Sequence, residues 1–241
     1  MSSTISRRAL LAGTSLLTGC AGDVMPKFRG LYAASDALTY AAHKVLLRNQ
    51  PLAREFGPER ITKRFPVLGT ANPKDANYQK LLAGNFADWR LPIRGMVSQP
   101  GELPLTFLKN LPSRTQITQQ SCEEGWSAIA EWTGAPLGRV LQEVGILPEA
   151  RYIVFYAVDG WWDSLDLQDA LHPQTMLAYG MNGGALPVAH GAPIRLRVER
   201  QLGYKSLKFV NRIDVTDRID NIRDGTGSRS HAAGFAWYAG I

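Results

Sequence analysis

The segments His190-Gly191-Ala192-Pro193-Ile194-Arg195 and Gly203-Tyr204-Lys205-Ser206-Leu207-Lys208 carry the pattern that decides the fold of this chain. Glycine lets a backbone approach a ligand closely. Arginine offers an oxyanion a planar fork, and lysine offers it a point charge. Together these residue types favour a site for a phosphate-bearing group. Taken singly, His190 also fits an ordinary turn, and Arg195 also fits the solvated face of an edge strand.

A lone thiol lies upstream of these segments. The chain has two cysteines, and one of them, Cys20, lies in an apparent export signal, so the mature protein would carry only Cys122. An unpaired thiol in an oxidising compartment needs a reason. A thiolate held by a soft metal is one reason. A buried cysteine that serves as a small hydrophobic residue explains it equally well.

The overall composition is that of an ordinary globular protein. Apolar residues make up 45% of the chain and charged residues 20%, and the net charge is +6. A modest positive charge suits an anionic substrate, a phosphate-bearing cofactor or anionic lipid headgroups. The sequence contains no dense basic stripe with interleaved aromatic residues, so we do not expect nucleic-acid binding.

The N-terminus reads as an export signal. Arg7 and Arg8 precede a weakly apolar stretch, which is typical of a twin-arginine signal over residues 1–19. Leu17-Thr18-Gly19-Cys20 resembles a bacterial lipobox, which predicts a lipid anchor at Cys20 and a periplasmic, envelope-bound protein. The alternative is an ordinary export signal whose removal also discards Cys20.

Apolar periodicity and turn residues predict a mixture of helices and strands. No regular βαβ repeat and no Gly-x-Gly-x-x-Gly fingerprint occur, so an α+β fold is expected. Residues 49–80 look irregular, and 181–184 look like a tight turn. The pattern predicts helices at 31–48, 103–111, 126–132, 137–144 and 166–171, and strands at 89–97, 114–118, 151–158, 194–198 and 208–216.

Charged residues near these elements are interpreted as solvent-facing. Residues 194–198 alternate apolar and charged side chains, which predicts a half-solvated strand. The remaining acidic and basic positions in this part of the chain are read as surface charge: Asp166, Asp169, Glu199 and Arg200.

Tyr179-Gly180-Met181-Asn182-Gly183, followed by the two opening segments, resembles the molybdopterin-binding domain of the sulfite oxidase family in order and spacing. The resemblance covers roughly residues 60–220. It implies a single-domain molybdopterin-binding fold and a molybdenum–molybdopterin cofactor (Mo-MPT). The domains are then residues 1–19 (export signal), 20–59 (linker and N-terminal helix), 60–220 (catalytic domain) and 221–241 (tail).

The resemblance also implies roles for individual residues. Cys122 stands at the position of the family's molybdenum ligand, and His190 and Arg195 at positions that contact the pterin or its phosphate. The loop Ser206-Leu207-Lys208 matches the loop that holds the cofactor, and Lys205 beside it is a weaker candidate.

Three departures from the family pattern put the substrate in doubt. Gln119 replaces an arginine of many relatives, and Trp161, a candidate catalytic-site residue, stands where sulfite-oxidising members have a tyrosine. Val67-Leu68-Gly69-Thr70 lacks an asparagine before Gly-Thr. A site without this phenol and this arginine is poorly suited to sulfite, and Trp161 would give it a bulky apolar wall, although core packing explains a tryptophan equally well.

The sequence therefore predicts a molybdenum oxidoreductase that transfers an oxygen atom to or from a small molecule. The resemblance implies a separate electron-transfer partner, a membrane haem protein or a cytochrome c, because no dimerisation or haem domain is recognised. A sulfoxide reductase of the methionine-repair type is the alternative within the enzyme class. A non-catalytic lipoprotein that keeps the fold is the alternative from another class.

Overall fold

The computed structural model describes residues 29–47, 49 and 51–241. The predicted export signal and Cys20 lie outside the described residues. The chain divides into two compact units, Met1–Arg48 and Asn49–Ile241. Helix α1 (Arg29–Leu46) belongs to the first unit and confirms the helix predicted at 31–48. No helix in the described part of the chain is long and apolar enough to cross a membrane.

The second unit contains ten strands and five short α-helices. The strands are β1 (Arg90–Gly95), β2 (Gly101–Pro104), β3 (Arg114–Ser121), β4 (Ser127–Pro136), β5 (Tyr152–Ala157), β6 (Trp162–Asp166), β7 (Met176–Met181), β8 (Gly184–Ala185), β9 (Arg195–Arg197) and β10 (Val210–Thr216). The helices are α2 (Ala76–Ala83), α3 (Leu105–Asn110), α4 (Leu137–Val144), α5 (Leu167–Ala170) and α6 (Arg229–Ala232).

Two five-stranded sheets organise this unit. The first has the order β2-β1-β10-β5-β6, with β1 and β10 parallel and the other neighbours antiparallel. The second has the order β3-β4-β7-β8, and β9 pairs with β7. Helices and an antiparallel-rich pair of sheets make this an α+β fold, as the sequence predicts.

Helix α4 shows how the sequence determines one element. Leu137, Val140, Leu141 and Val144 recur at helical spacing, and all four are buried. Gly145 follows with φ of 64°, a left-handed conformation that ends the helix at the residue type best able to adopt it. The predicted buried face and helix end are both confirmed.

Two local predictions are wrong. The stretch predicted as a helix at 126–132 is instead strand β4 from Ser127 onward, because β4 pairs with β3 from Ser121↔Ser127 to Arg114↔Gly134. A short apolar run does not distinguish a helix from a buried strand, and the long-range pairing decides it. The stretch 49–80 is irregular except where α2 begins, after Asp75, whose side chain accepts a hydrogen bond from the Tyr78 backbone N–H at 2.8 Å.

The prediction of surface charge around residues 194–200 is also wrong. Strand β9 is buried throughout, and so are Asp166, Asp169, Glu199 and Arg200. Arg197 pairs with Glu199 at 2.8 Å, and Arg200 pairs with Asp169. Burial of these four charges is tolerable because each has an opposite partner. The alternation of one strand does not reveal that the rest of the fold covers its charged face.

The C-terminal segment packs back onto the second unit. The indole N–H of Trp237 donates to Ser164 Oγ at 2.8 Å, and the backbone N–H of Leu202 donates to the Ala239 carbonyl at 2.8 Å. Tyr238 is 4% exposed. Residues 221–241, which the sequence interpretation separates as a tail, therefore share contacts with β6 and with the segment after β9.

Candidate active site

A cleft in the second unit collects most of the predicted site residues. Its cavity volume is about 130 Å³, and it is partly open to solvent. Of the eight candidate residues, six line it: Trp161, His190, Arg195, Ser206, Leu207 and Lys208. The other residues that line it are Phe65, Pro66, Leu68, Gly69, Thr70, Gln120, Glu123, Asp159, Ala189, Gly203 and Tyr204.

Arg195 is the first residue of β9 and is 4% exposed. Its guanidinium donates to the carbonyls of His190 at 3.2 Å and Ser206 at 2.8 Å, and lies 5.0 Å from the centre of the Trp132 ring. Its Nε is buried without a hydrogen-bond partner among the described residues. Burial and the nearby positive charge of Arg197 lower the pKa of Arg195. An anion bound in the cleft would accept a hydrogen bond from this Nε and would stabilise the positive charge of Arg195.

Lys208 reaches across the cleft from the other predicted segment. Its Nζ donates to the carbonyls of Leu68 at 2.6 Å and Ala189 at 3.2 Å, and also to that of Thr70. Burial and the charge of Arg195 lower the pKa of Lys208 to about 8. The ammonium group therefore ties the segment containing Leu68 and Thr70 to the cleft and adds a second positive charge there.

His190 ends a short 3-10 turn, Val188–His190, at the cleft wall. Its ring packs edge-on against Phe65, with 5.6 Å between the ring centres. Burial first, and then the charges of Arg195 and Lys208, lower the pKa of His190 to about 4. The imidazole is therefore neutral at pH 7.

Two glycines in the predicted segments allow close backbone approach. Gly191 has φ of 110°, and a Cβ there would lie 3.0 Å from Lys208 Cβ and 3.2 Å from Arg195 Cβ. A Cβ at Gly203 would lie 3.0 Å from Gln120 Nε2. A side chain at either position would press against groups that form the cleft, and at Gly191 the positive φ also favours glycine.

Cys122 follows β3 and lies in the chain between two residues that line the cleft, Gln120 and Glu123. It is 6% exposed, and its Sγ lies 3.4 Å from Glu123 Oε2 and 3.5 Å from the backbone nitrogen of Glu124. Burial, followed by the charges of the two glutamates, raises the pKa of the thiol to about 11, although the Glu124 N–H opposes this. The thiol is thus at the edge of the basic cleft, within contact distance of the cleft-lining Glu123.

Trp161 and Gln119 occupy the positions where the family pattern differs. Trp161 lines the cleft and is 38% exposed, so it forms an open wall and is not part of the core. Gln119 is exposed, and its amide donates to Ser121 Oγ at 3.1 Å. The bulky wall that the sequence predicts at Trp161 is present, and no cation stands at position 119.

Lys205 is placed elsewhere, which corrects its assignment as a cofactor contact. It is 1% exposed, its Nζ pairs with Asp163, and it donates to the carbonyls of Ser164 at 2.8 Å and Trp237 at 3.0 Å. Burial raises the pKa of Asp163, and Lys205 opposes that shift. The charge of Lys205 is therefore compensated inside the protein and does not face the cleft.

Sequence reasoning missed several cleft residues. Tyr204 belongs to the opening segment that begins at Gly203, and Asp159 lies two residues before Trp161, so adjacency to these two positions could have indicated both. Phe65 had no such signal, because it lies in an irregular stretch. It packs edge-on against Trp132 at 5.5 Å and against Trp126 at 6.2 Å.

The residues present fit a phosphate-bearing metal cofactor. The buried, unpartnered Nε of Arg195 and the charge of Lys208 call for an anion, and Gly191 and Gly203 keep the backbone close to the space it would occupy. A single soft ligand, Cys122, stands at the edge of the same cleft. Among the described residues, no group of three or more His, Cys, Asp or Glu side chains could hold a metal ion by itself.

Comparison with known proteins agrees with this fit. Residues 79–221 match the family model described as oxidoreductase molybdopterin binding domain. The chain is 33% identical to an Azospira oryzae protein, provisionally named protein-methionine-sulfoxide reductase subunit YedZ1, over 98% of this chain and 86% of that protein. It is 34% identical to the protein-methionine-sulfoxide reductase catalytic subunit MsrP of Xanthomonas axonopodis pv. citri, over 64% of this chain and 52% of that relative.

A solved structure shares the fold. The sulfane dehydrogenase SoxCD of Paracoccus pantotrophus aligns with a TM-score of 0.52 and 27% identity, over 55% of this chain and 39% of that one. The family model covers more than half of the sequence, and the cleft has two cations in its lining and the Cys122 thiol beside its Glu123, groups that suit a molybdenum–molybdopterin cofactor. The chain is thus a molybdopterin-dependent oxidoreductase and belongs to the oxidoreductase molybdopterin binding domain family, the sulfite oxidase family.

Proposed function

We propose that this protein reduces a sulfoxide to a thioether, as a molybdenum enzyme of the cell envelope supplied with electrons by a separate redox partner. The reaction consumes two electrons and two protons, breaks the sulfur–oxygen bond and releases water. The observation that carries the proposal is the cleft itself, in which two cations lie beside a tryptophan wall and the Cys122 thiol contacts the cleft-lining Glu123. The names of the relatives support the choice of a sulfoxide.

Each cleft residue then has a defined task. Cys122 would ligate molybdenum, and Arg195 and Lys208 would hold the pterin phosphate, with His190 as a neutral neighbour. When bound, the cofactor supplies oxygen-atom transfer and two-electron redox chemistry. Trp161 would contact the apolar groups of a sulfoxide and exclude water from them.

The open wall favours a sulfoxide over sulfite. Sulfite is small and highly charged and needs cations and hydrogen-bond donors close to the reacting centre. Trp161 presents an aromatic face instead, and Gln119 presents a neutral amide that is directed at Ser121. A dialkyl sulfoxide is apolar apart from its oxygen, which suits an aromatic wall.

Location and partners are part of the same proposal. A twin-arginine signal and an acylated Cys20 would place the enzyme at the periplasmic face of a membrane. An electron carrier such as a membrane haem protein or a cytochrome c would reduce it. The experiment for this part is fractionation of cells that express the full chain, with Cys20→Ser as the variant expected to release the protein from the membrane.

The catalytic proposal is tested with purified holo-protein and a reduced artificial electron carrier. We expect oxidation of the carrier when methionine sulfoxide or dimethyl sulfoxide is added, with one sulfoxide consumed per two electrons, and little turnover of sulfite in the opposite direction. Sulfite oxidation at a rate equal to or above sulfoxide reduction would reverse the assignment.

Substitution of the thiol tests the ligand. Cys122→Ser is expected to abolish turnover and to change the molybdenum absorption spectrum. Ser121→Ala is a matched control, because its hydroxyl contacts only Gln119 and Ser127 in the described contacts. Unchanged metal content, spectrum and rate in Cys122→Ser would remove Cys122 from the site.

A further inference from the structure

The C-terminal segment contacts the wall of the cleft at two points. Residues 222–241 lie beyond the family match, which ends at residue 221. Arg229 of α6 contacts Trp161, and the Tyr204 hydroxyl donates to the Ala236 carbonyl at 2.7 Å. The ring of Phe235 lies 5.4 Å from that of Tyr204. Since Trp161 and Tyr204 both line the cleft, this segment forms an outer layer of its wall.

Arg229 is held in a defined position at this wall. Its guanidinium carbon lies 4.7 Å from the centre of the Trp161 ring, and its Nη1 donates to the Gly160 carbonyl at 3.3 Å. A guanidinium stacked on an indole face keeps its remaining N–H groups directed outward. Arg229 is exposed, so these donors face solvent at the side of the cleft where Trp161 is open.

The backbone before Arg229 is fixed to strand β6. The hydroxyl of Ser164 donates to the Gly227 carbonyl at 2.5 Å. The fully buried Ser228 accepts a hydrogen bond from the His231 backbone N–H at 3.3 Å. Because Trp161 directly precedes β6 and Ser164 lies within it, this strand positions both the tryptophan wall and the chain that carries Arg229.

The charges around Arg229 leave its cation available to a ligand. Among the residues that the structure describes, no carboxylate forms an ion pair with Arg229. Asp159, two residues before Trp161, accepts a hydrogen bond from the Trp161 backbone N–H at 3.4 Å and interacts electrostatically with Lys208. The negative charge of Asp159 is therefore directed into the cleft, while Arg229 lies on the outer side of Trp161.

We propose that Arg229 is a specificity-determining residue that makes the site prefer sulfoxides carrying a carboxylate near the reducible group, with Trp161 packing against the alkyl chain between them. This inference rests on the proposed sulfoxide reduction and adds the substrate class. A partly solvated ion pair is a modest interaction, so the preference is expected to be about fivefold in kcat/KM at low salt.

The experiment compares two substrates that differ only in charge. N-acetylmethionine sulfoxide carries a carboxylate, and its amide is neutral. For the wild-type holoenzyme we expect the acid to have the lower KM, with similar kcat values for both. Arg229→Gln should raise the KM of the acid to that of the amide and leave the amide unchanged, and Arg229→Lys should retain part of the preference.

Arg223→Gln is the matched control. Arg223 belongs to the same C-terminal segment and carries the same charge, but its guanidinium lies 5.7 Å from the Tyr156 ring and 6.0 Å from the Trp162 ring, neither of which lines the cleft. The preference for the acid should survive in this variant. Its loss in Arg223→Gln to the same extent as in Arg229→Gln would mean that general surface charge sets the preference, and would overturn the assignment.

Binding of the matching sulfones, measured by calorimetry, separates this inference from the proposed function. Equal kcat/KM for the acid and the amide in the wild type would refute the role of Arg229 and leave sulfoxide reduction intact. Absence of turnover, together with Arg229-dependent tighter binding of the sulfone acid, would refute sulfoxide reduction and leave the anion preference standing. Absence of both would refute both.

Discussion

The segment from Arg195 to Lys208 holds two kinds of buried or half-buried cation. The interior cations are Arg197, Arg200 and Lys205, and each pairs with a carboxylate: Glu199, Asp169 and Asp163. The cleft cations are Arg195 and Lys208, and their hydrogen bonds go to backbone carbonyls instead.

This difference separates cations that support the fold from cations that are available to bind an anion. A carboxylate partner cancels a charge, whereas a carbonyl orients a charge and leaves it uncancelled. The interior cations therefore stabilise the packing of β9 and the following loop against α5 and β6. The cleft cations remain positive, and burial lowers the pKa of both. An incoming phosphate would supply the missing negative charge.

The largest effect is expected from breaking an interior pair. Asp169→Ala removes the partner of Arg200 and the carboxylate oxygen that accepts from Gln201 Nε2 at 2.6 Å. An unpaired buried guanidinium remains, so the free energy of unfolding should fall by about 3–5 kcal/mol. Urea unfolding measures it. Asp220→Ala, which breaks the exposed pair with Arg218, is the control and should cause no measurable change. Equal losses in both variants would remove the distinction between interior and surface pairs.

The next effect is expected from a cleft cation. Arg195→Met removes the buried guanidinium that lacks a partner for its Nε, so stability should fall far less than in Asp169→Ala. The affinity for molybdopterin should fall by about 10- to 100-fold, because hydrogen bonds to charged groups contribute about 1.5–3 kcal/mol. Pterin fluorescence after oxidation and molybdenum content measure the occupancy. Full cofactor occupancy in Arg195→Met, together with a lowered free energy of unfolding, would mean that Arg195 supports the fold in the same way as the interior cations.

The sequence predicts those elements whose determining residues lie close together in the chain, and it fails where the determining contacts are distant. Helix α4 was predictable because its four apolar side chains and Gly145 lie within one short stretch. Strand β4 was not, because its identity depends on pairing with β3, and the same apolar run fits a helix. The order and spacing of the His190 and Gly203 segments predicted a cleft that brings together six of the eight candidate residues.

The distinction between the two cation classes was not visible in the sequence. Arg195 and Lys205 both stand in the two opening sequence segments, yet one faces the cleft and the other pairs with Asp163. Asp169 reads as surface charge because its partner, Arg200, comes from a distant part of the chain. Charge pairing is a property of the tertiary structure, so only the spatial arrangement of β6, α5 and β9 reveals which cations are compensated.

Lys208 gives a smaller effect that depends on pH. Its pKa is about 8 in the folded protein and ordinarily 10.5, so the unfolded chain binds more protons between these values. Stability of the cofactor-free protein should therefore rise with pH across this window and should be lowest, from this cause, below pH 8. Lys208→Met should remove the rise, and the exposed-site variant Lys80→Met should keep it. Urea unfolding at several pH values measures both, and identical profiles in all three proteins would contradict the assignment.

The smallest effect concerns the interaction of the cleft groups with each other. His190 titrates near pH 4 because of burial first and the charges of Arg195 and Lys208 second. In Lys208→Met one of those charges is gone, so the pKa of His190 should move part of the way back toward 6.5, as followed by NMR of the ring protons. Lys80→Met should leave it unchanged. If a carboxylate were paired with Lys208, it would largely cancel the electric field of Lys208 at His190. An unchanged pKa of His190 in Lys208→Met would therefore mean that the charge of Lys208 is compensated. The division between cleft and interior cations would then not hold for Lys208.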